Sequence, residues 1–140
     1  MRMRGCARAF VVAIVSIISA CGGHGGSSDR KVIKSTTVGS LTIALTSPAG
    51  ALKSGDNELM ITFEDSSGKP LDVGAASLNF HMPAMGSMAE MNNKATLTTT
   101  NIAGWYRATV TLESGGTWEA QVKYQGPQGA GQASMTVNAK

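Results

Sequence analysis

Apolar and polar residues alternate with a period of two along most of the chain after residue 40. In the first such segment Leu41, Ile43 and Leu45 are separated by small residues. This alternation predicts strands with one buried face and one solvated face. The predicted strands cover 41–46, 59–64, 78–82, 95–102, 105–112, 118–124 and 133–137, with the facing of the threonine-rich segment 95–102 left open.

Turn-forming residues separate these segments. Gly, Pro, Ser and Asp cluster at 47–50, 65–70, 114–116 and 126–129, and no segment has a convincing helical period. About seven short strands, with turns every ten residues or so, favour an all-β fold. We therefore predict an immunoglobulin-like sandwich of antiparallel strands over residues 41–140.

The first 20 residues have a different pattern. Arg2, Arg4 and Arg8 precede an apolar run, 10–18, that is too short to span a bilayer, and small residues follow it. The segment Ile18-Ser19-Ala20-Cys21 resembles the lipobox of bacterial lipoproteins, in which the cysteine is acylated after cleavage. The alternative is an ordinary signal peptide with an incidental cysteine, which the position of Cys21 before a glycine-rich stretch disfavours.

This interpretation divides the chain into three parts. Residues 1–20 form a removed signal peptide, 21–40 a lipid-anchored flexible tether, and 41–140 the folded domain. Glycine and serine dominate the start of the tether, which has too little apolar surface to pack. The expected location is the cell envelope on the periplasmic face. Gly22 after the cysteine favours the outer membrane if the cell has two membranes, a rule taken from lipoproteins in general.

Processing also changes the charge and the cysteine count. Of the twelve Lys and Arg residues, three leave with the signal, so the remaining nine equal the nine Asp and Glu residues. With no basic cluster, nucleic-acid binding is not expected. Cys6 is lost and Cys21 carries lipid, which excludes disulfides, thiolate metal sites and the Cys ligand of blue-copper proteins. With no nucleophile-His-acid set visible, we expect a binding module and not an enzyme.

One segment carries candidate chemistry. Met82, Met85, Met88 and Met91 are spaced by three and follow His81 directly. Thioether sulfur is a soft donor that selects Cu(I), and imidazole also suits copper. The alternative is that methionine, a flexible apolar side chain, fills the open end of the sandwich. Alternation points Met82 toward the core, and the spacing converges in a helical turn but not in an extended loop.

The domain resembles the YtkA-like family, which is related to the FixH group, from about Ser47 to Val137. The matching segments are Gly55-Asp56-Asn57, Gly68-Lys69-Pro70-Leu71, Gly104 with Tyr106, Gly116 with Trp118 and, most specifically, Met82-Pro83-Ala84-Met85-Gly86. The resemblance implies an immunoglobulin-like fold and a link with copper handling. Relatives occur as lipoproteins, near cytochrome oxidase assembly genes or joined to metal-efflux components.

The ligands implied by the resemblance are Met82, Met85 and Met88, with His81 and Met91 as further candidates. Many relatives have a histidine after Met-Gly, where this chain has Ser87 and Met88. The expected function is a membrane-anchored Cu(I) chaperone or copper-handling accessory with an envelope protein as its partner. The alternative is a metal-free interaction domain that docks on an envelope complex, such as an efflux or oxidase-assembly system.

Overall fold

A computed structural model describes residues 29–127 and 129–140 of the chain. Cys21, the signal segment and the first part of the tether lie outside the described residues. Within the described part, all regular elements are strands, and no helix is long and apolar enough to cross a membrane. The strands are β1 Lys31–Val38, β2 Leu41–Ser47, β3 Gly55–Glu64, β4 Ala75–Met82, β5 Met91–Lys94, β6 Thr96–Thr99, β7 Trp105–Leu112, β8 Gly116–Gly126 and β9 Gly129–Ala139.

The strands form two antiparallel sheets that pack face to face. One sheet has the order β1-β2-β3-β7-β6, and the other has the order β5-β4-β8-β9. The predicted sandwich is therefore confirmed. Alternating residues from both inner faces form one core, in which Trp118, Phe63 and Phe80 are fully buried. The indole nitrogen of Trp118 donates a hydrogen bond to the Ser114 carbonyl oxygen at 3.1 Å.

The structure differs from the prediction at the start of the domain. The tether was expected to extend to Ser40, but Lys31–Val38 forms β1 and pairs with β2. This strand is mostly exposed and lacks regular apolar alternation, because it lies at a sheet edge. Ile33 and Val38 pack against the core, and the backbone ladder to β2 supplies the remaining contacts.

A second difference concerns the threonine-rich segment. The predicted strand 95–102 is shorter, Thr96–Thr99, and Met91–Lys94 forms a separate strand before it. Ala95 lies between the two, is buried, and donates its backbone N–H to the Leu78 carbonyl oxygen at 2.9 Å. The chain changes sheets at this residue, from β5 beside β4 to β6 beside β7. No single buried face runs through the segment, so its alternation was ambiguous.

We call one end of the sandwich the hairpin end; it is formed by the loops 48–54, 83–90 and 113–115. Both described termini also lie there. Lys31, at the start of β1, pairs with Ser47, and the Lys140 backbone N–H bonds to the Leu52 carbonyl oxygen at 3.0 Å. The Ser114 hydroxyl lies 4.0 Å from the sulfur of Met82, which links the third loop to β4.

Candidate metal site at the methionine hairpin

The methionine-rich segment, residues 82–91, folds as the tip of a β-hairpin between β4 and β5, which we call the methionine hairpin. The two strands remain paired up to Met82 opposite Met91. Further out, Met85 and Met88 exchange both backbone hydrogen bonds, at 3.1 and 2.9 Å. Gly86 and Ser87 form the two-residue turn between them. Gly86 has φ of 57°, and glycine at the first central position is typical of the type II′ turns that close hairpins.

Met85 and Met88 are therefore cross-strand neighbours. Residues directly opposite each other in an antiparallel pair project from the same face, with Cβ atoms about 4.5–5.5 Å apart. The two residues are 56% and 48% exposed, which makes them, with Val32, the exposed large hydrophobic residues of the described chain. The turn thus brings two thioethers together in solvent. A two-residue turn between paired strands brings together residues spaced by three. The sequence left a helical turn and an extended loop as alternatives, and this segment of the structure has neither.

Met82 and Met91 form a second pair with a different environment. Met82 is only 2% exposed and faces the core, as its alternation predicted. The Ser114 hydroxyl contacts its sulfur, and its terminal methyl group lies 3.3 Å from the position that a Cβ on Gly116 would take. Met91 is half-buried and packs against the core beside it. These two thioethers face the interior of the sandwich and are not exposed with the first pair.

His81 lies on the outer face of the four-stranded sheet. Its Nε2 is 3.4 Å from an Oε2 oxygen of Glu90, and its Nδ1 is buried without a hydrogen-bond partner among the described residues. Glu119 lies directly opposite it on β8. Hydrogen bonds from Ser134 and Gln121 hold the pKa of the Glu119 carboxyl below its ordinary value, and His81 adds a smaller effect in the same direction.

The five predicted metal ligands thus occupy three environments. Met85 and Met88 are adjacent and exposed, Met82 and Met91 face the core, and His81 contacts Glu90 on the outer face of the sheet. Among the described residues, no three His, Cys, Asp or Glu side chains form a cluster suited to a metal ion. The donors that the fold brings together here are soft sulfur atoms.

Sequence reasoning missed a row of polar side chains beside His81. The Asn79 amide donates to Asn92 at 3.2 Å and to Gln121 at 3.3 Å, and the Asn92 amide donates to Glu90 at 3.2 Å. Alternation along each strand does place these residues on solvated faces. It gives no order for the strands, so it could not reveal that β5, β4 and β8 are neighbours.

Comparison with known proteins assigns the chain to a family. The fold defines a single antiparallel sandwich domain with an exposed methionine pair at one end. The YtkA-like family model matches residues 36–123, well over half of the chain, so the chain belongs to the YtkA-like family. A comparison with curated proteins gives no match.

Two solved structures are similar at low identity, both of FetP from uropathogenic Escherichia coli. The form "as isolated" after recombinant expression in the E. coli periplasm has 11% identity and a TM-score of 0.47, covering 75% of this chain and 91% of that chain. A copper-bound variant of FetP has 10% identity and a TM-score of 0.49, covering 79% and 97%. At these values neither structure assigns a site to this chain.

Proposed function

We propose that this protein is a membrane-anchored, periplasmic copper-binding module, a Cu(I) chaperone or copper-handling accessory and not an enzyme. The observation that supports the proposal is the reciprocal backbone pairing of Met85 with Met88, which sets two exposed thioethers side by side. The two backbone hydrogen bonds hold Met85 and Met88 opposite each other, so the pair would be preorganised for one small ion. Preorganised ligands lose less conformational freedom on binding.

The donor chemistry fits Cu(I). Thioether sulfur prefers Cu(I) over hard ions such as Mg²⁺ or Ca²⁺, and methionine needs no deprotonation to bind it. Met85 and Met88 would hold the ion, whereas His81, whose Nε2 contacts Glu90 and whose Nδ1 is buried, lies in a separate environment. Met82 and Met91 would support the hairpin from inside the sandwich by packing. Copper is the cargo here, and the chain's own contribution is to select and present it.

Exposure of the pair suits transfer better than storage. A ligand that is half exposed can be replaced by a partner's ligand without opening the core, because the sulfur atoms already face solvent. The partner in this proposal is another protein of the cell envelope. Anchoring through the acylated Cys21 would keep the domain at the membrane, with the outer membrane favoured if there are two. Copper handling is also what the resemblance to YtkA-like proteins implies.

Titration with Cu(I) under reducing conditions, in competition with a chromogenic Cu(I) chelator, tests the proposal. The unmodified protein should bind one equivalent, and the double variant Met85→Leu, Met88→Leu should bind at least about tenfold more weakly, since leucine keeps the shape and removes the sulfur. Met60→Leu is the matched control, because Met60 is half-buried on β3 of the other sheet. Equal affinity of the double variant and the control would contradict the assignment of these two ligands.

The exposure of Met85 and Met88 also favours the second candidate, a metal-free docking domain. Methionine forms adaptable apolar contacts, and exposed apolar side chains often mark binding surfaces. The same leucine variants separate the two functions. Leucine preserves an apolar contact, so binding to an envelope partner that survives both the double substitution and chelation of copper would support docking without metal.

A further inference from the structure

The six methionines that remain after processing span a wide range of exposure. Met85 and Met88 are 56% and 48% exposed, whereas Met82 and Met135 are 2% and 3% exposed. Met60 and Met91 are half-buried. Oxidation of a thioether requires an oxidant to reach the sulfur, so exposure orders the reactivity of chemically identical side chains. The most accessible sulfurs are the two that the proposed function uses.

Oxidation would change the chemistry of these donors. Hydrogen peroxide transfers one oxygen atom to the sulfur: an S–O bond forms, the O–O bond breaks, sulfur loses two electrons, and water leaves. The product, methionine sulfoxide, is polar, and the one lone pair that remains on its oxidised sulfur is a much weaker soft donor. A soft ion therefore loses its ligand. Because both side chains lie outside the core, the fold itself loses no packing.

We propose that Met85 and Met88 form an oxidant-sensitive switch, in which sulfoxidation by peroxide abolishes soft-metal binding and a bound soft ion protects the same two sulfurs. This inference rests on the proposed function for its metal half. A bound ion withdraws electron density from the sulfur and blocks the approach of peroxide, and oxidation leaves a poorer soft donor, so the two effects are reciprocal. Reduction by a methionine sulfoxide reductase restores the thioether, and a hairpin tip in solvent is open to such an enzyme.

The first test measures where oxidation occurs. Purified protein is treated with limiting hydrogen peroxide, and the sulfoxide at each methionine is measured by peptide mass spectrometry. Met85 and Met88 should be oxidised first, the half-buried methionines later and Met82 last. Oxidation of Met82 or Met135 at the rate of Met85 would overturn the proposal. A denaturation curve of the oxidised protein, expected to be unchanged, shows that the fold is retained.

The second test measures the link with metal. Ag(I), which shares the charge and soft-ligand preference of Cu(I), is added in one equivalent before peroxide. It should slow oxidation of Met85 and Met88 and leave Met60 unaffected, which serves as the internal control. Protein oxidised only at the hairpin should then have lost its Cu(I) binding.

The outcomes separate this inference from the proposed function. If the unmodified protein binds neither Ag(I) nor Cu(I), the proposed function fails, and the metal half of the switch fails with it. If the unmodified protein binds Cu(I) and the oxidised protein binds it equally well, only the switch is overturned. Protection of Met60 by Ag(I) to the same degree as Met85 would also overturn the switch, because it would mean nonspecific binding.

Discussion

Replacing Gly86 by alanine perturbs the methionine pair without removing a sulfur atom. Gly86 has φ of 57°, and a Cβ built there meets nothing within 4 Å, so the substitution introduces no clash. Its cost is conformational, since a residue with a Cβ loses roughly 1–2 kcal/mol in the left-handed region. The two hydrogen bonds between Met85 and Met88 together contribute about 1–3 kcal/mol. The strain and the closing bonds are therefore comparable, and the turn should open in a substantial fraction of molecules.

Opening the turn should weaken metal binding by the free energy needed to close it again. Because only closed molecules present both sulfur atoms together, the apparent Cu(I) affinity should fall in proportion to the closed fraction: about twofold if strain and closing energy are equal, and up to about fivefold if the strain is larger. The affinity is measured by the same chelator competition as above.

Gly39 provides a matched control for this experiment. It has φ of 62° in the turn between β1 and β2, again with no atom within 4 Å of the position that a Cβ would take, and it lies at the opposite end of the sandwich. Gly39→Ala should lower stability by a similar amount and leave Cu(I) affinity unchanged. The reasoning is refuted if Gly86→Ala binds Cu(I) as tightly as the unmodified protein, since the reciprocal pairing of the two methionines would then be irrelevant to the site.

Two further predictions concern stability. Trp118→Ala should reduce the free energy of unfolding by about 3–5 kcal/mol, measured by urea denaturation, because Trp118 is fully buried; a loss below about 1 kcal/mol would contradict its place in the core. Hydrogen bonds from Ser67 and Lys69 lower the pKa of the Asp65 carboxyl in the folded protein. The ionised carboxylate therefore stabilises the fold fully above its unfolded-state pKa, about 3.9. This stabilisation is lost as the pH falls through the lower pKa of the folded state. Asp65→Asn should therefore flatten the pH dependence of stability in that acidic window, and identical pH profiles for the two proteins would refute this.

The sequence predicted those parts of the fold that depend on one buried face. Segments such as Leu41–Ser47 alternate cleanly because each inward side chain enters the core, and the structure confirms them as strands. The edge strand β1 was missed because its stability comes from backbone pairing with β2, which leaves little trace in side-chain polarity. The change of sheet at Ala95 was missed for a related reason: a residue that crosses between layers interrupts the period of two.

The candidate site was predictable in composition and only partly in geometry. Methionine content and the resemblance to YtkA-like proteins indicated the segment, and alternation placed Met82 inside. That Met85 and Met88 pair depends on register, which is fixed by the turn at Gly86 and by the ladder from His81 and Met82 to β5. The second strand of the hairpin, β5, has only four residues. So short a segment gives too little alternation in a single sequence to fix its register against β4.

The position of the described termini has a consequence for how the protein would stand on a lipid surface. Lys31 follows Cys21 by ten positions, which corresponds to a fully extended length of about 35 Å. Because β1 starts at the hairpin end, the proposed lipid anchor on Cys21 would join the domain at the end that carries Met85 and Met88, whereas the turn between β8 and β9 lies at the other end of an 11-residue strand, about 36 Å away. Under the proposed function, such an anchor would limit how far the methionine hairpin can move from the lipid surface, while the opposite end of the domain could extend farther from it.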